Sequence, residues 1–204
     1  MSGARADILG VVLAGGLARR MGGGDKPLLP LAGRPILSHL LDRLAPQVAA
    51  LALNANGDPG RFAAAAPGLP VLPDPVPGHP GPLAGILAGL DHAAARGFPA
   101  VLTVPGDSPF IPDDLAARLD AARRAADAPV AHAASGRLHP PVALWATALR
   151  DDLRAALAAG EGRVAAWAAR HRAATARWPA VPRDPFLNLN TPEDLAAAEA
   201  LLRS

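Results

Sequence analysis

Four short apolar runs lie in the first 110 residues, and each closes on a glycine, an amide or a carboxylate. They are Ile8–Leu13, 48–53, 69–72 and 100–104, and the residues that follow them are Gly15-Gly16, Asn54, Asp74 and Asp107. A continuous apolar run ending in glycines is the pattern of a strand buried on both faces of a parallel sheet. Between the runs, Ile36, Leu37, Leu40, Leu41 and Leu44, then Leu83, Ile86, Leu87 and Leu90, recur at helical spacing behind Pro35 and Pro82. A short Ala-rich helix is expected over 61–66. The Pro-rich stretch 73–82 excludes a helix or central strand and predicts an ordered active-site loop or lid.

In the second half, Pro112-Asp113-Asp114-Leu115 predicts a helix with acids in its first turn. Residues 130–132 and 142–145 flank Ser135-Gly136-Arg137 as a hairpin, and a helical region over 148–169 is broken at Gly160-Glu161-Gly162. Thr191-Pro192-Glu193-Asp194 opens the last helix with a capping-box pattern. The expected fold is α/β, a single Rossmann-like domain with a mostly parallel sheet, helices on both faces and a β-hairpin insertion in the second half. No repeat or linker divides residues 1–204; about 1–110 reads as a nucleotide-binding half and about 111–204 as an acceptor-binding half.

Composition narrows the function. The calculated pI is near 10.3, yet 20 Lys+Arg oppose 18 Asp+Glu for a net charge of only +2. Nearly all the bases are Arg and there is no Tyr or Cys, so little titrates between neutrality and the guanidinium range. No basic patch for nucleic acid is implied. The missing cysteines exclude disulfides, zinc thiolates and cysteine nucleophiles. Asp7 precedes the first apolar run and Arg19-Arg20 follow it, the reverse of a signal peptide, and no run approaches a bilayer span. A cytoplasmic chain without membrane contact is expected.

Ligands of open parallel sheets bind beyond the carboxyl ends of the strands. There the glycines, Asn54, Asp74 and Asp107 would form a rim suited to a polyphosphate and a hard cation. The segment from Leu13 through Ala14, Gly15 and Gly16 to Lys26 adds Arg19, Arg20 and the chain's single lysine. Backbone N–H groups of such a loop can approach phosphate oxygens. It is not a Walker loop, because Lys26 stands between Asp25 and Pro27, and it lacks the dinucleotide spacing. Plainer readings exist: a solvated loop for Lys26, and turn formation for Asp107, Asp74, Asn54 and Asn56. Asn190 could be a local cap, His79 a surface residue and Arg163 a helix-surface charge. The six histidines show no metal-binding spacing.

In order along the chain, Leu-Ala-Gly-Gly-x-Ala-Arg-Arg-Met-Gly-Gly-x-Asp-Lys, Asn-Ala-Asn, Asp74 with Pro80-Gly-Pro-Leu-Ala-Gly85, Asp-Ser-Pro-Phe-Ile-Pro and Asn188-x-Asn190-Thr-Pro-Glu resemble the molybdenum cofactor guanylyltransferases of the nucleotidyltransferase superfamily. The resemblance implies transfer of GMP from GTP to the phosphate of molybdopterin, or Mo-molybdopterin, with release of pyrophosphate. It implies that Leu13, Ala14, Gly15, Gly16, Lys26, Asn54, Asp74 and Asp107 bind GTP, and that Asp107 holds Mg²⁺. Arg20, Lys26 and Asp107 would be catalytic, while Gly81, Gly85, His139, Arg163, Asn188 and Asn190 would face the acceptor. Transient contacts with cofactor-biosynthesis or molybdoenzyme proteins follow from the same resemblance. A molybdopterin cytidylyltransferase, a sugar-phosphate nucleotidyltransferase and a non-catalytic nucleotide-binding regulator remain as alternatives. Base choice is the property least constrained by the shared motifs.

Overall fold

The computed structural model describes residues 7–15, 24–76, 81–181 and 183–203. The first apolar run forms strand β1 (Ile8–Leu13), and its alternate side chains enter two different cores, as expected of a strand covered on both faces. A two-residue hairpin follows, β2 (Pro30–Leu31) and β3 (Arg34–Pro35), turned by Ala32 and Gly33 at φ of 49° and 80°. Pro35 caps helix α1 (Ile36–Leu44), which buries Ile36, Leu37, Leu40 and Leu44. Then come β4 (Ala50–Asn54), β5 (Val71–Leu72), α2 (Pro82–Arg96) and β6 (Ala100–Pro105). The second half supplies α3 (Leu115–Ala125), β7 (Val130–Ser135), β8 (Arg137–Ala146), α4 (Arg150–Ala158), α5 (Val164–Ala168), β9 (Ala173–Arg177) and α6 (Pro192–Arg203).

Among the described residues, seven strands form one sheet in the order β5-β4-β1-β6-β8-β7-β9. β5, β4, β1 and β6 are mutually parallel, β8 is antiparallel to both neighbours, and β9 is parallel to β7. α1 and α3 cover one face, with Leu37, Leu40, Leu115 and Leu119 fully buried. α2, α4 and α5 cover the other, around Leu87, Leu153, Trp145 and Trp167. A smaller apolar cluster seats α6 against the β2–β3 hairpin through Leu31, Phe110, Leu189 and Ala198. The α/β layering is therefore as expected, with the β7–β8 hairpin built into the sheet as an extension of it.

Several local expectations differ from the structure. Residues 61–66 form no α-helix: Pro59–Phe62 is a single 3₁₀ turn, started by Asp58, whose carboxylate accepts from Gly60 N–H. α3 begins at Leu115, so Asp113 and Asp114 precede its first turn, and Asp114 accepts from the indole of Trp178. β9 was not expected at all; its Ala-Ala-Thr-Ala-Arg sequence has little strand propensity, and parallel pairing with β7 makes it a strand. The capping box at Thr191 is present in full. The Asp194 N–H donates to Thr191 Oγ1, and the Asp194 carboxylate accepts from Thr191 N–H. Among the described residues no helix is long and apolar enough to cross a membrane.

Candidate active site

The carboxyl ends of β1, β4, β5 and β6 and the start of α2 open onto one cavity of about 430 Å³. Leu13, Gly15, Lys26, Pro27, Asn54, Asn56, Asp74, Gly81, Gly106, Asp107, Pro141 and Asn188 line it. Gly16 and Arg20, expected at the phosphates, and His79 lie outside the described residues, as do residues 77–80 of the expected lid.

On one side stands Lys26, in a 3₁₀ turn with only 8 % of its surface exposed. Its ammonium donates to Asp107 Oδ2 at 2.5 Å and to Asn190 Oδ1 at 2.6 Å. Asp107 is carried two residues beyond β6, and its carbonyl accepts from Leu189 N–H. Ser108, fully buried, donates to Asn188 Oδ1 at 3.2 Å. The segment ahead of α6 is thereby bound to the end of β6, and two asparagines from it reach Lys26 and Ser108. A solvated-loop role for Lys26 does not fit this burial.

On the other side, Asp74 is clamped by two amides. Asn54 Nδ2 donates to Asp74 Oδ1 at 2.9 Å and also to Leu72 O, while Asn56 Nδ2 donates to Asp74 Oδ2 at 2.7 Å. Asn56 Oδ1 accepts from the Asp74 N–H. Both amide protons of Asn54 thus have partners within the protein, and this side chain orients Asp74 instead of offering donors to a base. Ala14 is fully buried and its N–H donates to Asn54 O at 2.8 Å, so it supports the rim and does not line the cavity.

The expected acceptor residues divide. Gly81, with φ of +130°, lines the cavity at the start of α2, and the carbonyl of Gly162 lies 3.7 Å from where its Cβ would be. That contact brings the 160–163 loop, with exposed Arg163, beside the cavity mouth. Asn188 and Asn190 stand as described. Gly85 is not a ligand-facing position: it is buried in α2, where a Cβ would fall 2.1 Å from Asn54 Oδ1. Gly85→Ala gains helix propensity of about 1 kcal/mol, but the overlap wins. It is expected to cost about 1–3 kcal/mol of stability and to displace Asn54 from Asp74, which thermal melts and a GTP titration will show together.

His139 is also removed from the cavity lining. It is 7 % exposed on β8, where its Nε2 meets Ser135 Oγ at 2.7 Å and its ring packs on Phe186. Burial lowers its pKa, with the Asp184 carboxylate opposing that shift only in part. Burial thus favours its neutral form, and its ring is held by Ser135 and Phe186 inside the protein.

Among the described residues no group of three or more Asp, Glu, His or Cys side chains could hold a metal by itself. One strand-end carboxylate with neutral amide oxygens nearby suits a small hard cation that arrives with phosphate oxygens and water, the usual binding mode of Mg²⁺. Asp107 fits that donor set.

The fold and this two-sided cavity define a strand-end nucleotide site of the nucleotidyltransferase class, and residues 10–175 match the family described as the MobA-like NTP transferase domain. A molybdenum cofactor guanylyltransferase of Bradyrhizobium sp. (strain ORS 278) is 58% identical over 196 residues, covering 94% of this chain and 92% of the relative. One from Cereibacter sphaeroides is 56% identical over 197 residues, covering 96% and 97%. The chain belongs to the molybdenum cofactor guanylyltransferase family. The fold is shared with the crystal structure of molybdopterin-guanine dinucleotide biosynthesis protein A from Archaeoglobus fulgidus, at a TM-score of 0.73, 22% identity and coverage of 96% and 98%. It is shared equally with 4-diphosphocytidyl-2C-methyl-D-erythritol synthase from Anaerococcus prevotii, at 0.75, 14% identity and coverage of 98% and 97%.

Sequence reading passed over two residues at this site. Asn56 reads from sequence only as a turn residue, yet its side chain bonds both the carboxylate and the N–H of Asp74. Arg61, which pairs with Asp25 at 2.7 Å, gave no signal, because it lies on a turn read as an ordinary helix.

Proposed function

We propose that this chain transfers GMP from GTP to the terminal phosphate of molybdopterin or Mo-molybdopterin, in the cytoplasm, with Mg²⁺ held by Asp107. The observation that carries the reading is the part-buried Lys26–Asp107 pair beyond the end of β6, 2.5 Å apart, in a chain more than half identical to named guanylyltransferases. An oxygen of the acceptor phosphate attacks the α-phosphorus of GTP, the bond to the bridging β-oxygen breaks, and pyrophosphate leaves with that electron pair. The attacking oxygen is already ionised, so no general base is needed. Bound Mg²⁺ supplies charge neutralisation on the triphosphate.

The protein's own groups do the rest. Lys26 places a compact cation on the phosphates, and Gly15 leaves backbone room for their oxygens. Asp74, oriented by Asn54 and Asn56, accepts from the donor edge of guanine. Gly81, Arg163 and Asn188 form the acceptor side, with Arg163 supplying positive charge for the acceptor phosphate. Residues 1–110 hold most of the nucleotide, although Asn188 and Asn190 reach across from the second half. Any contacts with cofactor-biosynthesis or molybdoenzyme proteins are transient ones for handing on the product.

The test is pyrophosphate release on mixing protein, Mg²⁺, nucleotide and molybdopterin. Leaving a buried polar group unpaired costs about 1–3 kcal/mol, so two lost contacts give GTP an advantage over CTP or ATP of about a hundredfold. GTP is also expected to raise the melting temperature more than CTP at equal concentration, and Asn54→Ala to narrow that gap by releasing Asp74. Faster turnover with CTP would reassign the base.

A further inference from the structure

The Arg61 guanidinium lies behind the cavity wall, yet it is held on every side. Nε pairs with Asp25 Oδ2 at 2.7 Å, Nη2 donates to Asn56 O at 2.6 Å, and Nη1 donates to Asp58 O. Its Cζ lies over the buried Phe62 ring, 4.5 Å from the centroid. The paired side chains are only 24% and 19% exposed, so solvent screens them less than a surface pair. Asp25 immediately precedes Lys26, and Asn56 is the residue that grips both the N–H and the carboxylate of Asp74. One planar fork thus joins the two sides of the nucleotide site, which are otherwise carried on separate loops.

We propose that Arg61 is a positioning residue for the transfer reaction, holding Lys26 in place through Asp25 and Asp74 in place through Asn56. The inference rests on the guanylyl-transfer reading above. The ion pair has a second effect: it neutralises a carboxylate next to Lys26 that would otherwise compete for the ammonium and repel a triphosphate.

Arg61→Met keeps an apolar stem over Phe62 and removes the fork. It is expected to lower kcat/KM for GTP at least about tenfold, because small displacements of positioning groups are costly. The preference for binding GTP over guanosine, which reads the phosphate side alone, is expected to fall with it. Asp25→Asn in the Arg61→Met background then separates placement from charge: the double variant stays impaired if Lys26 has lost its anchor. Arg61→Lys restores the charge without the fork and is expected to recover only part of the activity. This variant decides the matter if Arg61→Met does not fold. An Arg61→Met or Arg61→Lys protein with wild-type kcat/KM and wild-type GTP-to-guanosine preference overturns the proposal, as does full recovery in the double variant. Wild-type protein unable to release pyrophosphate from GTP overturns the guanylyl-transfer reading instead.

Discussion

Asp107→Ala is expected to leave a folded protein that still binds GTP but turns over at least about a hundredfold more slowly, since a metal ligand stabilises transition-state charge by several kcal/mol. The protein still folds because the Asp107 carbonyl keeps its bond from Leu189 N–H and the Lys26 ammonium keeps Asn190 as an acceptor, although loss of the ion pair should lower the melting temperature. GTP affinity is retained because the Lys26 ammonium, now held only by Asn190, has one fewer competing carboxylate. Asp107→Asn sharpens the test. It preserves an acceptor for Lys26 but is a poor ligand for a hard cation, so it should be as slow as the alanine variant. Titrating Mg²⁺ against initial rate in both proteins checks the assignment, and a wild-type rate in either refutes the metal role.

Lys26→Ala has the opposite signature, with binding and rate lost together. A cation that meets the phosphates in both ground and transition state contributes to each. The variant also leaves Asp107, 14% exposed at its side chain, without its 2.5 Å partner, and breaking such a pair costs about 3 kcal/mol at most here, less than for a fully buried one. The apo protein should therefore melt at a lower temperature than wild type. Lys26→Arg rescues only in part, because a planar fork does not fit where a compact ammonium bridges Asp107 and Asn190. Isothermal titration with GTP, a melt without ligand and a single-turnover assay measure the three effects separately. An alanine variant with normal GTP affinity would remove Lys26 from the nucleotide site.

Much of this site was legible from local pattern. β1 could be read because six consecutive apolar residues ending in glycines have few other stable environments, and Asn54, Asp74 and Asp107 followed because strand ends in a parallel sheet share an edge. The capping box at Thr191 was legible for a simpler reason: its hydrogen bonds span three residues. The seven-stranded order was not legible, nor was the strand character of 173–177, whose alanines take their conformation from the partner strand.

The same division runs through the site residues. Sequence determined which chemistry could gather at the rim: glycine backbone, one lysine, two carboxylates and their amides. Tertiary structure decided what each group does with its neighbours. Lys26 meets Asp107 across 81 residues and Asn190 across 164, Asn56 meets Asp74 across 18, and His139 turns inward to Ser135 and Phe186 instead of toward an acceptor. Capping, turns and strand burial depend on neighbours in the chain, so they are encoded where they occur. The partners of a buried charge depend on which loops the folded sheet brings together, and no local pattern carries that information.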